Sequence, residues 1–359
     1  MAWMSPGFDS PRVHQDLQSV FIFQTHSSMK KPRIAVIGVG GQTGTMFAFE
    51  LGKAANILGI GKEIELICKK KLFIQSKDTS SELFKGKVVA VDHFNLKEFF
   101  PDIIFLTVKN PIGEAAKFYY QKIKEYNQSN KMFPTLVLSQ NGISAGEDAV
   151  AVLEQVFGQD YEKIQVIRLA LFNPINQKRV GDKTYISYSL PIRFAFGKFS
   201  GPGNLQDIIA IFRETKFKAE EFPRKKVKDM EFSKLFLNLI GMAAATHGLS
   251  INDGFKKTEI FKEEVAALKE YIKVVKSSGG DFLNFSIYQV KLITDLIESF
   301  PIEFVLPFRN RIIALMSRGR EGKAKDLTQI KYYNGAVIDL GRKAGIKTPV
   351  NKKILERVS

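Results

Sequence analysis

Cysteine and histidine, on which disulfide frameworks and many metal sites depend, are scarce in this sequence. The chain of 359 residues holds one cysteine, Cys68, and four histidines. A single cysteine excludes a disulfide within the chain and any metal site built from several thiolates. The scattered histidines show no metal-ligand spacing. We therefore expect no metal site, and the cysteine usage favours a reducing cytoplasm.

Long apolar runs are also missing. No run reaches the roughly 18 residues of a membrane-spanning helix, and the apolar residues 20–23 are too few for the core of a signal peptide. Residues 1–28 are irregular, so we expect a flexible extension with little functional content. The sequence predicts no membrane partner.

Acidic residues are outnumbered, with 37 Asp and Glu against 53 Lys and Arg, for a net charge of +16. Such an excess occurs in nucleic-acid-binding proteins, but these cations are spread along the chain and form no basic block interleaved with aromatic residues. A basic surface also attracts anionic substrates and phosphate-bearing cofactors. We therefore expect no nucleic-acid partner.

What the sequence does contain is a regular alternation of strand and helix patterns. Residues 33–38 and 103–108 are continuous apolar runs, typical of parallel strands buried on both faces. Further strands are predicted at 64–68, 88–91 and 135–139. The alternation predicts an α/β fold with a Rossmann-type doubly wound parallel sheet.

From residue 224 onward nearly every segment has a helical pattern, including one long helix over 227–247. We therefore predict a dinucleotide-binding domain at 29–223, after the extension at 1–28. An all-helical C-terminal domain at 224–359 would carry substrate-binding and catalytic residues.

A glycine-rich segment follows the first predicted strand and precedes a predicted helix. Glycines let the backbone approach a pyrophosphate, which then binds at the helix amino terminus. The third glycine is displaced by one residue from the usual G-x-G-x-x-G spacing. We predict dinucleotide binding by Gly38, Gly40, Gly41, Gln42, Thr43 and Gly44.

The cofactor is predicted to be NADPH. NAD-binding proteins usually carry an acidic residue at the end of the second strand, for the ribose hydroxyls. The predicted second strand ends instead in Lys69, Lys70 and Lys71, and cations attract a 2′-phosphate. Alternatively, these lysines form only a solvated turn.

Two polar residues follow other predicted strands. Lys109 comes after the strand at 103–108, and Asn141 after the strand at 135–139. Because ligands of such sheets sit outside the carboxyl ends of the strands, both are candidates for contact with cofactor or substrate.

Lys234 and Asn238 lie four residues apart in a largely apolar helical run, and residues at that spacing share a helix face. Reduction of a carbonyl needs a proton donor for the oxygen, and burial would lower the pKa of the lysine towards a useful range. Without further evidence, a lysine extending from an amphipathic helix is the commoner case.

The chain resembles the ketopantoate reductase family from about residue 31 to residue 355. The resemblance rests on the glycine segment, Thr107-Val-Lys109, Ser139-Gln-Asn141-Gly142, Lys234-x-x-x-Asn238, Tyr333-Asn334-Gly335 and Gly345-x-x-x-Pro349-x-Asn351. It implies a Rossmann domain with a helical domain, and NADPH-dependent reduction of 2-dehydropantoate to pantoate for pantothenate synthesis. The family includes monomers and homodimers.

The resemblance also implies roles for individual residues. Lys234 would protonate the ketone oxygen, and Asn238 would bind substrate oxygens. Asn141 and Lys109 would lie beside the nicotinamide and the substrate, and Ser317 would bind the substrate carboxylate.

Three positions depart from the family pattern. Gln329 stands where the family has a catalytic or substrate-binding glutamate, Lys331 replaces a second acid, and Met242 replaces an asparagine. Gln329 can hydrogen-bond a hydroxyl but cannot ionise, so we take it as a modified catalytic position. These departures leave two alternatives to ketopantoate reduction: a reductase of a related 2-oxo acid, and a catalytically weak NADPH-binding sensor.

Overall fold

A computed structural model describes residues 31–62, 72–76, 82–126, 132–310 and 324–358. The strands are β1 (Arg33–Ile37), β2 (Asn56–Gly61), β3 (Leu72–Ser76), β4 (Glu82–Leu83), β5 (Lys87–Ala90), β6 (Ile103–Leu106), β7 (Thr135–Leu138), β8 (Val166–Leu171), β9 (Asn176–Val180), β10 (Lys183–Tyr188), β11 (Ile192–Ser200) and β12 (Phe217–Phe222). The α-helices are α1 (Gln42–Leu51), α2 (Gly113–Tyr126), α3 (Ala145–Phe157), α4 (Gln206–Arg213), α5 (Val227–Leu239), α6 (Met242–Thr246), α7 (Ile251–Lys256), α8 (Thr258–Ser277), α9 (Val290–Ser299), α10 (Ile302–Val305), α11 (Asn334–Lys343) and α12 (Pro349–Glu356). Short 3₁₀-helices cover Gly158–Lys163, Arg224–Lys226, Leu306–Phe308 and Leu327–Tyr332.

The main sheet has eight strands in the order β12-β11-β8-β7-β6-β1-β2-β5. All neighbouring strands are parallel except β8 and β11, which are antiparallel. Strands β4, β3, β10 and β9 form a second, smaller sheet. The chain leaves β1 towards β2 on one side, whereas β6 returns on the other side, so the strand order reverses between β1 and β6.

Alternate residues of the central strands enter two different cores. Ile34 and Val36 of β1 pack with helices α1 and α4, whereas Ala35 and Ile37 pack with α2 and α3. Helices therefore cover both faces of the sheet, which explains why these strands are continuous apolar runs. The prediction of a doubly wound α/β sheet followed by a helical region is confirmed.

The predicted position of the second strand is wrong. The strand that pairs with β1 is β2, Asn56–Gly61, and it begins soon after α1. The segment 64–68 and the three lysines at 69–71 lie outside the described residues. The residue that directly follows β2 is the exposed Lys62.

After β12, every element in the described part of the chain is helical, and none of its helices is long and apolar enough to cross a membrane. The single helix predicted over 227–247 is wrong. The chain leaves α5 at Ile240, and Gly241 takes a left-handed φ of 88° before α6 begins at Met242. A Cβ at Gly241 would lie 2.4 Å from a side-chain carbon of Ile251, so glycine is required here on two counts.

A buried carboxylate stabilises this break. Glu264 of α8 accepts hydrogen bonds from the backbone N–H groups of Gly241 (2.6 Å) and Ala243 (3.0 Å). It therefore satisfies donors at the amino terminus of α6 that have no partner within that helix. Burial raises the pKa of Glu264 to about 7, although the two N–H donors and Lys325 oppose the rise.

The raised pKa of Glu264 predicts a pH dependence of stability. The ordinary value is 4.5 and the folded value about 7, so between these values the folded chain binds more protons at this carboxyl than the unfolded chain. The free energy of unfolding should therefore fall as pH rises through this window.

Urea unfolding of the wild type and Glu264→Gln at several pH values would test this. The stability of the wild type relative to the variant should fall from pH 5 to pH 7 and then level off, since all other groups cancel in the difference. A difference that stays constant or grows with pH would contradict the buried, easily protonated carboxyl.

Candidate active site

The carboxyl ends of β1 and β6 form the crevice where the strand order reverses. In open α/β sheets, ligands bind at this switch point. The two loops that leave it are in contact, since the Thr107 hydroxyl donates a 2.6 Å hydrogen bond to the Ile37 carbonyl. The glycine segment leaves from one side of the crevice and Lys109 from the other.

The glycine segment approaches its surroundings so closely that side chains would not fit. Gly38 and Gly40 have left-handed φ values of 102° and 104°. A Cβ at Gly44 would lie 2.3 Å from the Gly38 carbonyl oxygen. Helix α1 begins within this segment, at Gln42, and no side chain caps its amino terminus. Its first N–H groups point out of the helix end, and this is the arrangement that binds phosphate.

Asn141, in the loop after β7, contacts the helical region twice. Its side-chain NH₂ donates to the Tyr333 hydroxyl (3.2 Å), and its side-chain oxygen accepts from the NH₂ of Asn238 on α5 (3.3 Å). Its backbone carbonyl accepts a 2.6 Å hydrogen bond from Asn110. Asn141 therefore lies where the sheet edge, α5 and the segment before α11 meet.

Lys234 lies one turn before Asn238 on α5 and is only 9% exposed. Its ammonium is 5.2 Å from the centre of the Phe172 ring, just beyond the carboxyl end of β8. Phe172 packs in turn on Phe285 and Tyr288, with ring centres 4.7 and 5.7 Å away. The lysine is thus buried beside an aromatic cluster, and a positioned ammonium is a group that can give a proton to a carbonyl oxygen.

A buried ion pair lies under the same helix face. Arg168 of β8 and Glu231 of α5 are 3% and 2% exposed, with Nε 2.5 Å from Oε1. Burial raises the pKa of Glu231, whereas Arg168 and Lys228 favour its charged form. The Lys228 ammonium is 3.3 Å from the second carboxylate oxygen.

The 3₁₀-helix Leu327–Tyr332 approaches the sheet edge from the helical region. Asp326 caps it by accepting from the Thr328 N–H (2.9 Å), and Lys109 lies 3.5 Å from the Thr328 hydroxyl. Gln329, the next residue, is half-buried and donates to the Thr328 carbonyl (3.3 Å). Lys109 and Gln329 are thereby brought to neighbouring positions, 220 residues apart in sequence.

The structure brings together the glycine segment, Lys109, Asn141, Lys234, Asn238 and Gln329 along the carboxyl edge of the sheet and the facing helices. Lys69, Lys70 and Ser317 lie outside the described residues. Met242 is buried in the core beyond the turn at Gly241, so it does not continue the face of α5 that carries Lys234. Lys331 is exposed.

Sequence reasoning assigned no role to four residues of this region. Tyr333 and Asn110 contact Asn141, and nothing in their local sequence indicates these contacts. Arg168 and Glu231 carried a usable signal, because each is a charge within an otherwise buried apolar run (Val-Ile-Arg-Leu-Ala-Leu and Met-Glu-Phe). Charges are rarely buried unless paired.

Residues 226–359 match the family model described as ketopantoate reductase PanE/ApbA C terminal. No curated protein sequence is significantly similar to the chain.

Several solved structures share the fold over 91% of this chain at 16% identity. One is a PanE/ApbA family ketopantoate reductase from Ralstonia eutropha JMP134, of which 97% is covered with a TM-score of 0.67. A 2-dehydropantoate 2-reductase from Geobacter metallireducens GS-15 is covered completely, with a TM-score of 0.63. A third is a D-mandelate dehydrogenase with NADH and anilino(oxo)acetate, 97% covered, with a TM-score of 0.65. At this identity the likeness shows the fold.

Replacement of Gly44 by alanine tests the close packing of the glycine segment. The added Cβ would meet backbone atoms 2.3 Å away, so we expect a loss of roughly 1–3 kcal/mol in the free energy of unfolding. Urea unfolding measures it. Gly113→Ala is the matched control, since this glycine also lies in the first turn of a helix that follows a strand of the main sheet, but its Cβ would be 3.8 Å from the nearest atom. Equal stability of the two variants would contradict the packing described.

Proposed function

We propose that this protein, whose residues 226–359 match the C-terminal model of the ketopantoate reductase family, is a member of that family and catalyses nicotinamide-dependent reduction of a small 2-oxo acid. The finer proposal is NADPH-dependent reduction of 2-dehydropantoate to pantoate, a step of pantothenate biosynthesis. The observation that carries the proposal is the buried Lys234, one turn from the contact between Asn238 and Asn141. Two of the structural neighbours are reductases of 2-dehydropantoate by name or family, and the third is a D-mandelate dehydrogenase.

The glycine segment fits a dinucleotide. Gly38 and Gly44 leave no room for side chains, and the amino terminus of α1 offers N–H donors and the positive end of the helix dipole to a pyrophosphate. The reduced nicotinamide, when bound, supplies the hydride for the carbonyl carbon. On this proposal, the residues of the chain bind the substrate, orient it and deliver the proton.

Lys234 is proposed as the general acid. As hydride reaches the carbonyl carbon, negative charge develops on the oxygen, and an ammonium beside that oxygen stabilises the charge and gives up its proton. Asn238 shares the helix face and would donate its NH₂ to substrate oxygens. Asn141, which contacts Asn238, would hold both the amide and the nicotinamide edge in place.

The carboxylate of a 2-oxo acid would meet a positive surface. Lys109 lies beside Thr328 at the rim of the crevice, and Ser317 is proposed as a second carboxylate ligand by family resemblance. Gln329 can donate or accept a hydrogen bond but cannot supply the charge of the family glutamate. A changed substrate is therefore the principal alternative, and the aromatic cluster beside Lys234 favours 2-oxo acids with an apolar group.

Lys234→Ala is the direct test of this mechanism. We expect kcat/KM for the best substrate to fall by a factor on the order of 10²–10³ or more, the usual effect of removing one group that stabilises the transition state. The assay follows NADPH oxidation with 2-dehydropantoate and a panel of branched and aromatic 2-oxo acids. NADPH binding should persist, since the phosphates bind at the glycine segment.

Lys225→Ala is the matched control, because Lys225 is exposed and precedes α5. The activity of this variant should equal that of the wild type. Unchanged activity of Lys234→Ala would refute the general-acid role. Tight NADPH binding by the wild type without turnover of any 2-oxo acid would favour the alternative, an NADPH-binding sensor.

The choice of NADPH rests on charge at the end of the second strand. NAD-binding proteins usually place an acidic residue there, whereas the exposed Lys62 directly follows β2. An ammonium at this position would attract the 2′-phosphate of NADPH. Lys69 and Lys70, which the sequence predicts for the same role, follow later in the chain and lie outside the described residues.

Lys62→Ala should weaken NADPH binding by roughly tenfold, the loss of about 1.4 kcal/mol, and leave NADH binding unchanged. Fluorescence titration measures both dissociation constants. Lys87→Ala is the control, since Lys87 is exposed at the amino-terminal edge of the same sheet. If only the double variant Lys69→Ala/Lys70→Ala loses NADPH preference, the role belongs to those lysines.

Cytoplasmic localisation, the absence of nucleic-acid and membrane partners, and a monomeric or homodimeric state remain predictions from the sequence.

A further inference from the structure

One face of α5 carries a line of polar side chains towards the loop after β7. Lys228, Glu231, Lys234 and Asn238 follow at intervals of three or four residues, which places them on one side of the helix. This line of side chains contacts the sheet and its loops at three levels. Lys228 donates to the Ile143 carbonyl (2.5 Å) and pairs with Glu147, Glu231 pairs with Arg168, and Asn238 contacts Asn141.

Arg168 provides the contact at the middle level. While its Nε binds Glu231 (2.5 Å), its Nη1 donates to the Leu138 carbonyl (3.1 Å), and its Nη2 reaches the carbonyls of Gln140 (3.1 Å) and Gly142 (3.4 Å). These carbonyls flank Asn141 on both sides. One guanidinium therefore fixes the backbone around Asn141 and, through Glu231, the helix that carries Lys234 one turn later.

We propose that Arg168 and Glu231 are positioning residues that set the placement of Asn141 relative to Lys234. Neither needs to touch substrate or cofactor. The proposal rests on the proposed function for its kinetic consequence, because only a reductase would require this placement. Its structural consequence, an ordered loop at 138–143, is independent of any activity.

The alternative is that the pair contributes to stability alone. The free energy needed to remove two charges from water often exceeds the free energy gained from their attraction. Replacing a buried pair by apolar residues of similar volume is therefore frequently neutral or stabilising. A pair retained in the core only for stability could therefore be replaced without consequence for the loop. A positioning pair could not, because methionine offers no donors to the three carbonyls.

The experiment is the double variant Arg168→Met/Glu231→Met, examined by thermal unfolding, hydrogen–deuterium exchange and steady-state kinetics. We expect a melting temperature near that of the wild type. Amides of a peptide covering 138–147 should exchange at least about tenfold faster, since their local opening costs less. We expect kcat to fall by a factor on the order of 10–100, the effect of a misplacement near 1 Å, with NADPH affinity retained.

Arg357→Met/Glu263→Met is the matched control. This Arg–Glu pair is joined by two hydrogen bonds, of 2.7 and 2.6 Å, but it ties the C-terminal residues to α8. Its loss should leave exchange at 138–147 and kcat unchanged. If the control accelerates exchange there as strongly as the first double variant, the effect is general loosening and the proposal is overturned.

Arg168→Lys decides the matter if the double variant fails to fold. Lysine keeps the charge opposite Glu231 but cannot span three carbonyls with one ammonium, so exchange at 138–147 should still rise and kcat fall. Wild-type exchange in this variant, or in a folded double variant, overturns the proposal.

Failure of the proposed function can be distinguished from failure of the positioning proposal. A wild type without turnover of any 2-oxo acid removes the reductase, while faster exchange at 138–147 in the variants still supports the positioning of Asn141.

Discussion

Much of the candidate site depends on the contact between one buried face of α5 and the carboxyl edge of the main sheet. Polar groups taken out of water must find partners, and the partners here come from distant parts of the chain. Arg168 is 63 residues from Glu231 and Asn141 is 97 from Asn238. Each contact therefore requires that the sheet and the helix already be correctly packed. The geometry around Lys234 is a product of the whole fold and not of its local sequence.

The sequence predicted the fold well because buried parallel strands and amphipathic helices have clear hydrophobic periods. It failed where that signal is weak. Strand β2 (Asn-Ile-Leu-Gly-Ile-Gly) contains two glycines, whereas the residues at 64–68 (Ile-Glu-Leu-Ile-Cys) are a more apolar run. The break at Gly241 lies within Leu-Ile-Gly-Met-Ala-Ala-Ala, where the helical pattern continues through the glycine. A single left-handed residue leaves no trace in periodicity.

The candidate site was predicted in part. Lys109, Asn141, Lys234, Asn238 and Gln329 were named from position and family resemblance, and the described residues place them at the same edge of the sheet. Arg168, Glu231, Phe172 and Asn110 were not named, since no local pattern states which charge pairs with which or which ring faces an ammonium. Long-range pairing is determined by tertiary structure, and one sequence contains little information about it.

The left-handed turn at Gly241 changes what sequence spacing implies about position in space. The family resemblance implies an asparagine four residues beyond Asn238, where this chain has Met242, but in this structure positions 238 and 242 belong to different helices, separated by Gly241. Residue 242 begins α6 and is 1% exposed in the apolar core. A methionine at that point satisfies packing requirements, whatever it replaces. A spacing of four residues in the sequence therefore does not place residue 242 beside Lys234, and in this structure the methionine is an ordinary core residue.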